Sequence, residues 1–225
     1  MPKIKLVVFD MAGTTVNENN VVYKTVRDVL VEHGVEVTLE QVLEHGAGKE
    51  KLQAIKDVLQ VLGKEQAVDA FQAYQTFKEK LADAYDQLEV SPVTGTEEVM
   101  SSLKQQGIKV VLNTGYKREV AEKLIDKLGW KEGVHYDALI TADDVTNGRP
   151  HPEMIEKAMA LFNITDPSEV LKAGDSAIDI EEGKNANCGV TVGVLSGAQN
   201  RTQLEKANPT YIMDNLGSIG AVIFT

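Results

Sequence analysis

Four short, mostly apolar runs constrain this chain more than any other feature. They are Lys5–Phe9 (KLVVF), Lys109–Leu112 (KVVL), Val170–Lys172 (VLK) and Val190–Val194 (VTVGV), with Ala138–Thr141 (ALIT) as a weaker fifth. Apolar runs without polar alternation describe strands covered on both faces, the habit of a parallel sheet. Helical patterns lie between them. Thr94–Gln106 opens with Thr94 and Glu97 in capping-box spacing and stops at Gly107; Lys117–Leu128, Pro152–Phe162 and Ile178–Ala186 follow. The alternation of strand and helix from Leu103 onward predicts an α/β core with a doubly wound parallel sheet.

The stretch from Val21 to Leu88 breaks that rhythm. It reads as consecutive helices, Val21–Glu32, Leu39–His45, Lys49–Leu62 and Glu65–Gln87, punctuated by Gly34, Gly46–Gly48 and Gly63. The expected organisation is therefore a core of residues 1–18 and 90–225, interrupted by an all-helical insertion over 19–89. With 225 residues, 43% of them hydrophobic, there is enough apolar material for a core and a satellite. The net charge of −11 argues against nucleic acid as a partner, since phosphate binding needs a surplus of Lys and Arg on one face. A lone cysteine, Cys188, excludes an internal disulfide and reads as a small buried hydrophobe. No apolar stretch approaches the ~18 residues of a membrane span, and the opening MPKIKLVVFD is unlike a secretory signal. A cytoplasmic location is the expectation.

The strand ends carry the chemistry. The first run ends in Asp10-Met11-Ala12-Gly13-Thr14-Thr15, the second in Asn113-Thr114-Gly115-Tyr116, and the third leads into Gly174-Asp175-Ser176-Ala177-Ile178-Asp179. Open α/β sheets bind ligands at the carboxyl ends of their strands. Taken singly, each piece has an ordinary reading. Asp10 could be a strand–turn residue, Thr114 a simple turn or N-cap residue, Asp175 and Asp179 helix-capping acids, and Arg149 in Asn147-Gly148-Arg149-Pro150 a surface cation. As chemistry, paired acids suit a hard divalent cation, and a fixed guanidinium neutralises phosphoryl charge. The pairs Glu97–Glu98, Asp143–Asp144 and Glu181–Glu182 read as solvated faces. His33, His135 and His151 share no metal-ligand spacing, and Trp130 reads as packing at a helix end.

The order and placement of these pieces resemble the haloacid dehalogenase-type hydrolases. The resemblance implies an inserted helical cap domain, Asp10 as a nucleophile at phosphorus, Thr114 and Arg149 as phosphoryl binders, and Mg2+. The metal set it implies is Asp10, the Ala12 carbonyl and Asp175, with Asp179 beside them. Two details are closer still. Most phosphatases of this superfamily carry an acid two residues after the nucleophile, where this chain has Ala12, and the cation is Arg149 rather than lysine. Both are similar to the phosphonatase-like branch, typified by phosphonoacetaldehyde hydrolase, in which a cap lysine forms a Schiff base. Gly46-Ala47-Gly48-Lys49 matches that Gly-x-x-Lys signature. Thr14, Gly46, Gly115 and Tyr116 are then expected at the substrate.

The implied function is cleavage of the C–P bond of phosphonoacetaldehyde or a related 2-oxoalkyl phosphonate. A departing carbanion needs an electron sink, and an imine on Lys49 supplies one. An alkoxide leaving from an ester instead needs an acid, and Ala12 is not one. The helix start at Lys49, and desolvation under a closed cap, are expected to favour the neutral amine. Taken alone, Lys49 reads as a solvated surface charge; the Gly-x-x-Lys match together with Ala12 sets the amine role beside that reading. One departure stands out. The branch has a His three residues after the lysine and a Met before the glycine, and these positions are Leu52 and His45. His45 could substitute or simply cap its helix. The chain is also short for phosphonatase itself. Two rivals remain at this point: a phosphate monoester hydrolase on the same core, and a phosphoryl-accepting receiver-like domain, which the helical insertion disfavours. The expected partner is a small anionic phosphonate or phosphate. The apolar face Val22, Val26, Val29 and Leu30 could bury within the insertion or against a second subunit, and the resemblance favours a homodimer.

Overall fold

The computed structural model describes residues 3–47 and 49–223. The chain divides into two compact units, one of residues up to Asn17 and from Val90 onward, the other Glu18–Glu89.

In the first unit, six strands among the described residues form one parallel sheet: β1 (Leu6–Asp10), β4 (Lys109–Asn113), β5 (Ala138–Ile140), β6 (Val170–Gly174), β7 (Val190–Val194) and β8 (Tyr211–Met213). Their order across the sheet is β5-β4-β1-β6-β7-β8. The apolar runs thus become strands as expected, with β1, β6 and β7 buried along their whole length. A short antiparallel pair, β2 (Val16–Asn17) with β3 (Ser91–Pro92), ties together the two places where the chain leaves and re-enters this unit. Helices α5 (Thr96–Gln105), α6 (Arg118–Leu128), α7 (Glu153–Leu161), α8 (Ala177–Asn185) and α9 (Arg201–Lys206) connect the strands. Leu6 and Val8 of β1 meet Val111, Ile140 and Val170 in a core cluster that Met154, Ile155 and Ala158 of α7 cover. Cys188 packs at its edge, and burial pushes its thiol up to about 12, so it behaves as the expected small hydrophobe.

Three expectations need correction here. Thr94 does not cap α5; Gly95 at φ 83° holds the N-cap without a side-chain bond, and Glu97 accepts instead from the buried indole of Trp130 at 2.7 Å. Strand β8 has no counterpart in the apolar runs, because its three residues are half-buried at a sheet edge. And Glu182 is no solvated acid but wholly buried.

The second unit consists, among the described residues, of α1 (Val21–Glu32), α2 (Leu39–Gly46), α3 (Lys51–Val61) and α4 (Ala70–Gln87). Helix α1 packs on α2 and α4, and α3 packs on the same two. The apolar face Val22, Val26, Val29 and Leu30 is buried. Capping sets two boundaries that periodicity misplaces. The Asp69 carboxylate accepts from the Phe71 and Gln72 amides, so α4 starts at Ala70, not Glu65. The Glu50 carboxylate accepts from the Leu52 and Gln53 amides, so α3 starts at Lys51 and Lys49 lies outside it. No helix among the described residues is long and apolar enough to cross a membrane.

Candidate active site

Strand β1 lies between β4 and β6, and connections depart from it in both directions along the sheet. At such a switch point the loops beyond the carboxyl ends splay apart and leave a crevice. Asp10 pairs in register with Asn113, and Phe9 with Ala173, so the ends of β1, β4 and β6 are level. This brings Asp10, Thr114 and Asp175 to one edge.

The loop after β1 is tightly built. Thr15 Oγ1 donates to the carbonyls of Asp10 and Met11, and the amides of Thr14, Thr15 and Val16 donate to Met11 O. Gly13 sits at φ 77°, where a Cβ would overlap the Asp175 carboxylate. Thr14 is buried, and its hydroxyl has no hydrogen-bond partner among the described residues. After β4, Thr114 Oγ1 accepts from the Tyr116 amide at 3.1 Å, so the turn reading of Thr114 holds while its own hydrogen stays a donor. Tyr116 is half-buried. Gly115 lies beside Arg149: a Cβ there would stand 3.4 Å from Nη2, at ordinary contact distance.

Arg149 is not a surface cation. Its Nη1 donates to Asp10 Oδ1 at 2.8 Å and also to Asp179 Oδ1. Asp179 further accepts from Ser176 Oγ at 2.6 Å and lies 3.0 Å from Lys172 Nζ. Asp175 Oδ2 accepts from the Ala198 amide at 2.6 Å. One oxygen each of Asp10, Asp175 and Asp179 lies within 4.8 Å of the others.

The charges explain the protonation. Burial, then repulsion from Asp179, pushes Asp10 up to about 6 against the pull of Arg149. Burial, then Asp10 and Asp179, drives Asp175 well above the carboxylate range. Burial also works to raise Asp179, but Lys172 and Arg149 outweigh it and hold it at about 2. Counting the buried Glu182, four carboxylates face two cations, Arg149 and Lys172. The shortfall of two positive charges, in a site of hard oxygen donors, fits a divalent cation such as Mg2+.

Lys49 and Gly46 belong to the helical unit. Lys49 Nζ pairs with Asp57, which also accepts from Gln53 Nε2 at 2.6 Å. The Lys49 side chain is 43% exposed, so it is neither desolvated nor at a helix start as the sequence led us to expect. The Lys49 contact holds the Asp57 carboxyl below its usual value. Gly46 ends α2 against α3, where a Cβ would stand 3.2 Å from Ala54 Cβ. Gly48, the third residue of the Gly-x-x-Lys match, lies outside the described residues.

Sequence reasoning missed several residues here. Lys172 and Glu182 are fully buried, and Asn113 joins them. A signal did exist for Lys172: a lysine enclosed on both sides by Val170-Leu171 and Ala173-Gly174. The loop after β7 was also missed. Ser196 Oγ donates to Gly13 O at 2.7 Å, Ala198 N holds Asp175, and Gln199 Oε1 accepts from Ala177 N at 2.7 Å.

Residues 7–193 match the model of the haloacid dehalogenase-like hydrolase family. The chain belongs to that family. This haloacid dehalogenase-like hydrolase is 32% identical over 207 residues to a phosphonoacetaldehyde hydrolase of Bacillus cereus, covering 87% of this chain and 77% of that one. Its fold is similar to that of a phosphonoacetaldehyde hydrolase-like protein of Oleispira antarctica (TM-score 0.81, 23% identity, 98% of this chain and 91% of that one). It is also similar to a protein named as a phosphoglycolate phosphatase of Lactobacillus delbrueckii subsp. bulgaricus (TM-score 0.84, 20% identity, 98% of each). At those identities the structural likeness speaks to fold alone. Membership of the hydrolase family sets the receiver-like reading aside.

Proposed function

We propose that this hydrolase cleaves the C–P bond of phosphonoacetaldehyde or a related 2-oxoalkyl phosphonate, with Asp10 as nucleophile and Lys49 as Schiff-base former. The observation that carries the reading is Ala12. A complete phosphoryl site with no acid two residues after its nucleophile is poorly equipped to protonate an alkoxide. The curated relatives named phosphonoacetaldehyde hydrolase support it.

In this reading the Lys49 amine condenses with the substrate carbonyl and releases water. Asp57 and Gln53 hold the amine in place beforehand. Arg149 and the Thr114 hydroxyl bind phosphoryl oxygens, and the guanidinium already sits on Asp10. The Asp10 carboxylate attacks phosphorus. The C–P bond breaks, and its electron pair flows into the iminium to give an enamine. Water hydrolyses the aspartyl-phosphate to free phosphate. The enamine takes a proton at carbon, and a second water releases the aldehyde and Lys49. Asp10, Asp175 and the Ala12 carbonyl would hold Mg2+, with Asp179 beside them, bonded to Arg149 and Ser176. Bound there, the ion offsets repulsion between the nucleophile and the phosphonate. Tyr116 and Gly115 line the substrate side of the Thr114 loop, Thr14 supports the nucleophile loop, and Gly46 fixes the turn that carries Lys49.

The exposed Lys49–Asp57 pair favours a second reading, phosphate monoester hydrolysis without a Schiff base. One experiment separates the two. Phosphate release is measured from 2-oxoalkyl phosphonates and from phosphate esters, with borohydride trapping and with Lys49→Arg. The first reading expects phosphonate turnover, a trapped adduct on Lys49, and loss of at least about 10³-fold in Lys49→Arg. Ester turnover that survives Lys49→Arg, with no adduct, overturns it.

A further inference from the structure

The proposed chemistry leaves a buried lysine and a buried glutamate unused. Lys172 lies in the middle of β6 and Glu182 on the second turn of α8, and both are fully buried. From these two outward, charges alternate toward the nucleophile. Glu182 Oε2 is 3.1 Å from Lys172 Nζ, which is 3.0 Å from Asp179 Oδ1. Asp179 Oδ1 accepts from Arg149 Nη1, which donates to Asp10 Oδ1 at 2.8 Å. Asn113 closes the inner end. Its Oδ1 accepts from Lys172 at 2.6 Å, and its Nδ2 donates to both Glu182 oxygens at 2.9 and 3.1 Å. Gly183 clears the path for the lysine stem, since a Cβ there would stand 3.0 Å from Lys172 Cβ and 2.7 Å from Thr191 Cγ2.

As a means of stability this arrangement is poor. Desolvating two charges offsets most of their attraction, and apolar residues of similar volume often serve a core as well or better. A fully satisfied buried network does hold one geometry and disfavours others.

We infer that Lys172, held by Glu182 and Asn113, is a positioning residue for the hydrolysis: it fixes Asp179, and through Asp179 sets the Arg149 guanidinium against Asp10. The inference rests on Asp10 as nucleophile and Arg149 as phosphoryl binder, and is indifferent to whether a C–P or a P–O bond breaks.

The test compares the wild type with Lys172→Met/Glu182→Leu, which replaces the inner ion pair by apolar residues, and with Glu182→Gln, which keeps the size but removes the charge and one of the two accepting oxygens. Each is assayed on whichever phosphonate or ester the wild type turns over best. Inorganic phosphate serves as inhibitor, and its binding is also followed by calorimetry. The double variant leaves the buried Asn113 amide without these partners and is expected to melt below the wild type, while kcat of the folded protein falls about 100-fold, the cost of a misplaced catalytic group. Phosphate binding is expected to weaken about tenfold, and Glu182→Gln to lose about tenfold in kcat. A folded variant of either kind with kcat and phosphate affinity within about twofold of the wild type would overturn the inference. If the double variant does not fold, Glu182→Gln decides. Failure of the functional reading looks different: the wild type itself would reject phosphonates, and the comparison would run on its ester or on phosphate binding alone.

Discussion

At the scale of single residues, Glu18 makes the most direct prediction. It is buried, and its Oε2 accepts from the Val21 amide at 2.8 Å, capping α1 from two residues ahead of the αL N-cap Asn20. Burial pushes its carboxyl up to about 6, against the pull of the Val21 and Val22 amides and of Lys24 and Lys51. The folded state therefore keeps a proton that the unfolded chain releases from 4.5 upward. This contribution is fully present below about pH 4.5 and is lost as pH rises through about 6. Glu18→Gln keeps the capping acceptor and removes the charge. In urea unfolding of the helical unit it should be more stable than the wild type by about 2 kcal/mol at pH 8, and equal to it near pH 4. An equal gap at both pH values would contradict the assignment. Glu18 carries no sequence signal, because an acid just before a helix is common whether it is wet or buried. Glu182 was misread because an acid within a helix, next to the exposed Glu181, usually faces solvent. Its signal is relative: it lies three residues after Asp179, on the same face of α8.

At the scale of elements, the segment after β7 matters more than its composition suggests. Leu195–Gln199 reaches the loop after β1 through Ser196, Asp175 through Ala198, and the start of α8 through Gln199. It fits only because Gly197 has no Cβ; one would stand 2.5 Å from Asp175 Cβ and press on its carboxylate. If Asp175 holds Mg2+ as proposed, Gly197→Ala should lower the affinity for that ion by ~10–100-fold, as loss of a supporting contact around a metal ligand does. Isothermal titration checks this, with far-UV circular dichroism unchanged. Undiminished affinity would mean that the segment yields freely. Ser196→Ala removes one hydrogen bond and should cost less. Strands were legible because burial on both faces writes itself as a continuous apolar run. The contacts of this segment were not, since they depend on backbone atoms that any sequence supplies.

At the scale of the whole molecule, the acidic balance and the site are one question. The four carboxylates Asp10, Asp175, Asp179 and Glu182 and the two cations that face them, Arg149 and Lys172, belong to the α/β unit. Binding of Mg2+ should therefore raise the melting of that unit, by about 2.7 kcal/mol of stability at a hundred times Kd, and a chelator should remove the gain. Identical calorimetric melts with magnesium and with chelator would show that the carboxylates hold no such ion. The sequence by itself determined the parallel sheet, the helical insertion and the residues at the strand ends, because hydrophobic periodicity and chain order are local properties. Asp10, Thr114, Arg149, Asp175 and Asp179 could be singled out for that reason. Only the tertiary structure decided which charges meet. It turned Arg149 from a loop cation into the partner of Asp10, set Lys172 and Glu182 in the interior, and paired Lys49 with Asp57. Such pairings depend on how separate elements are set in space, which chain order does not state, and desolvation, which fixes their energies, exists only once the fold has excluded water.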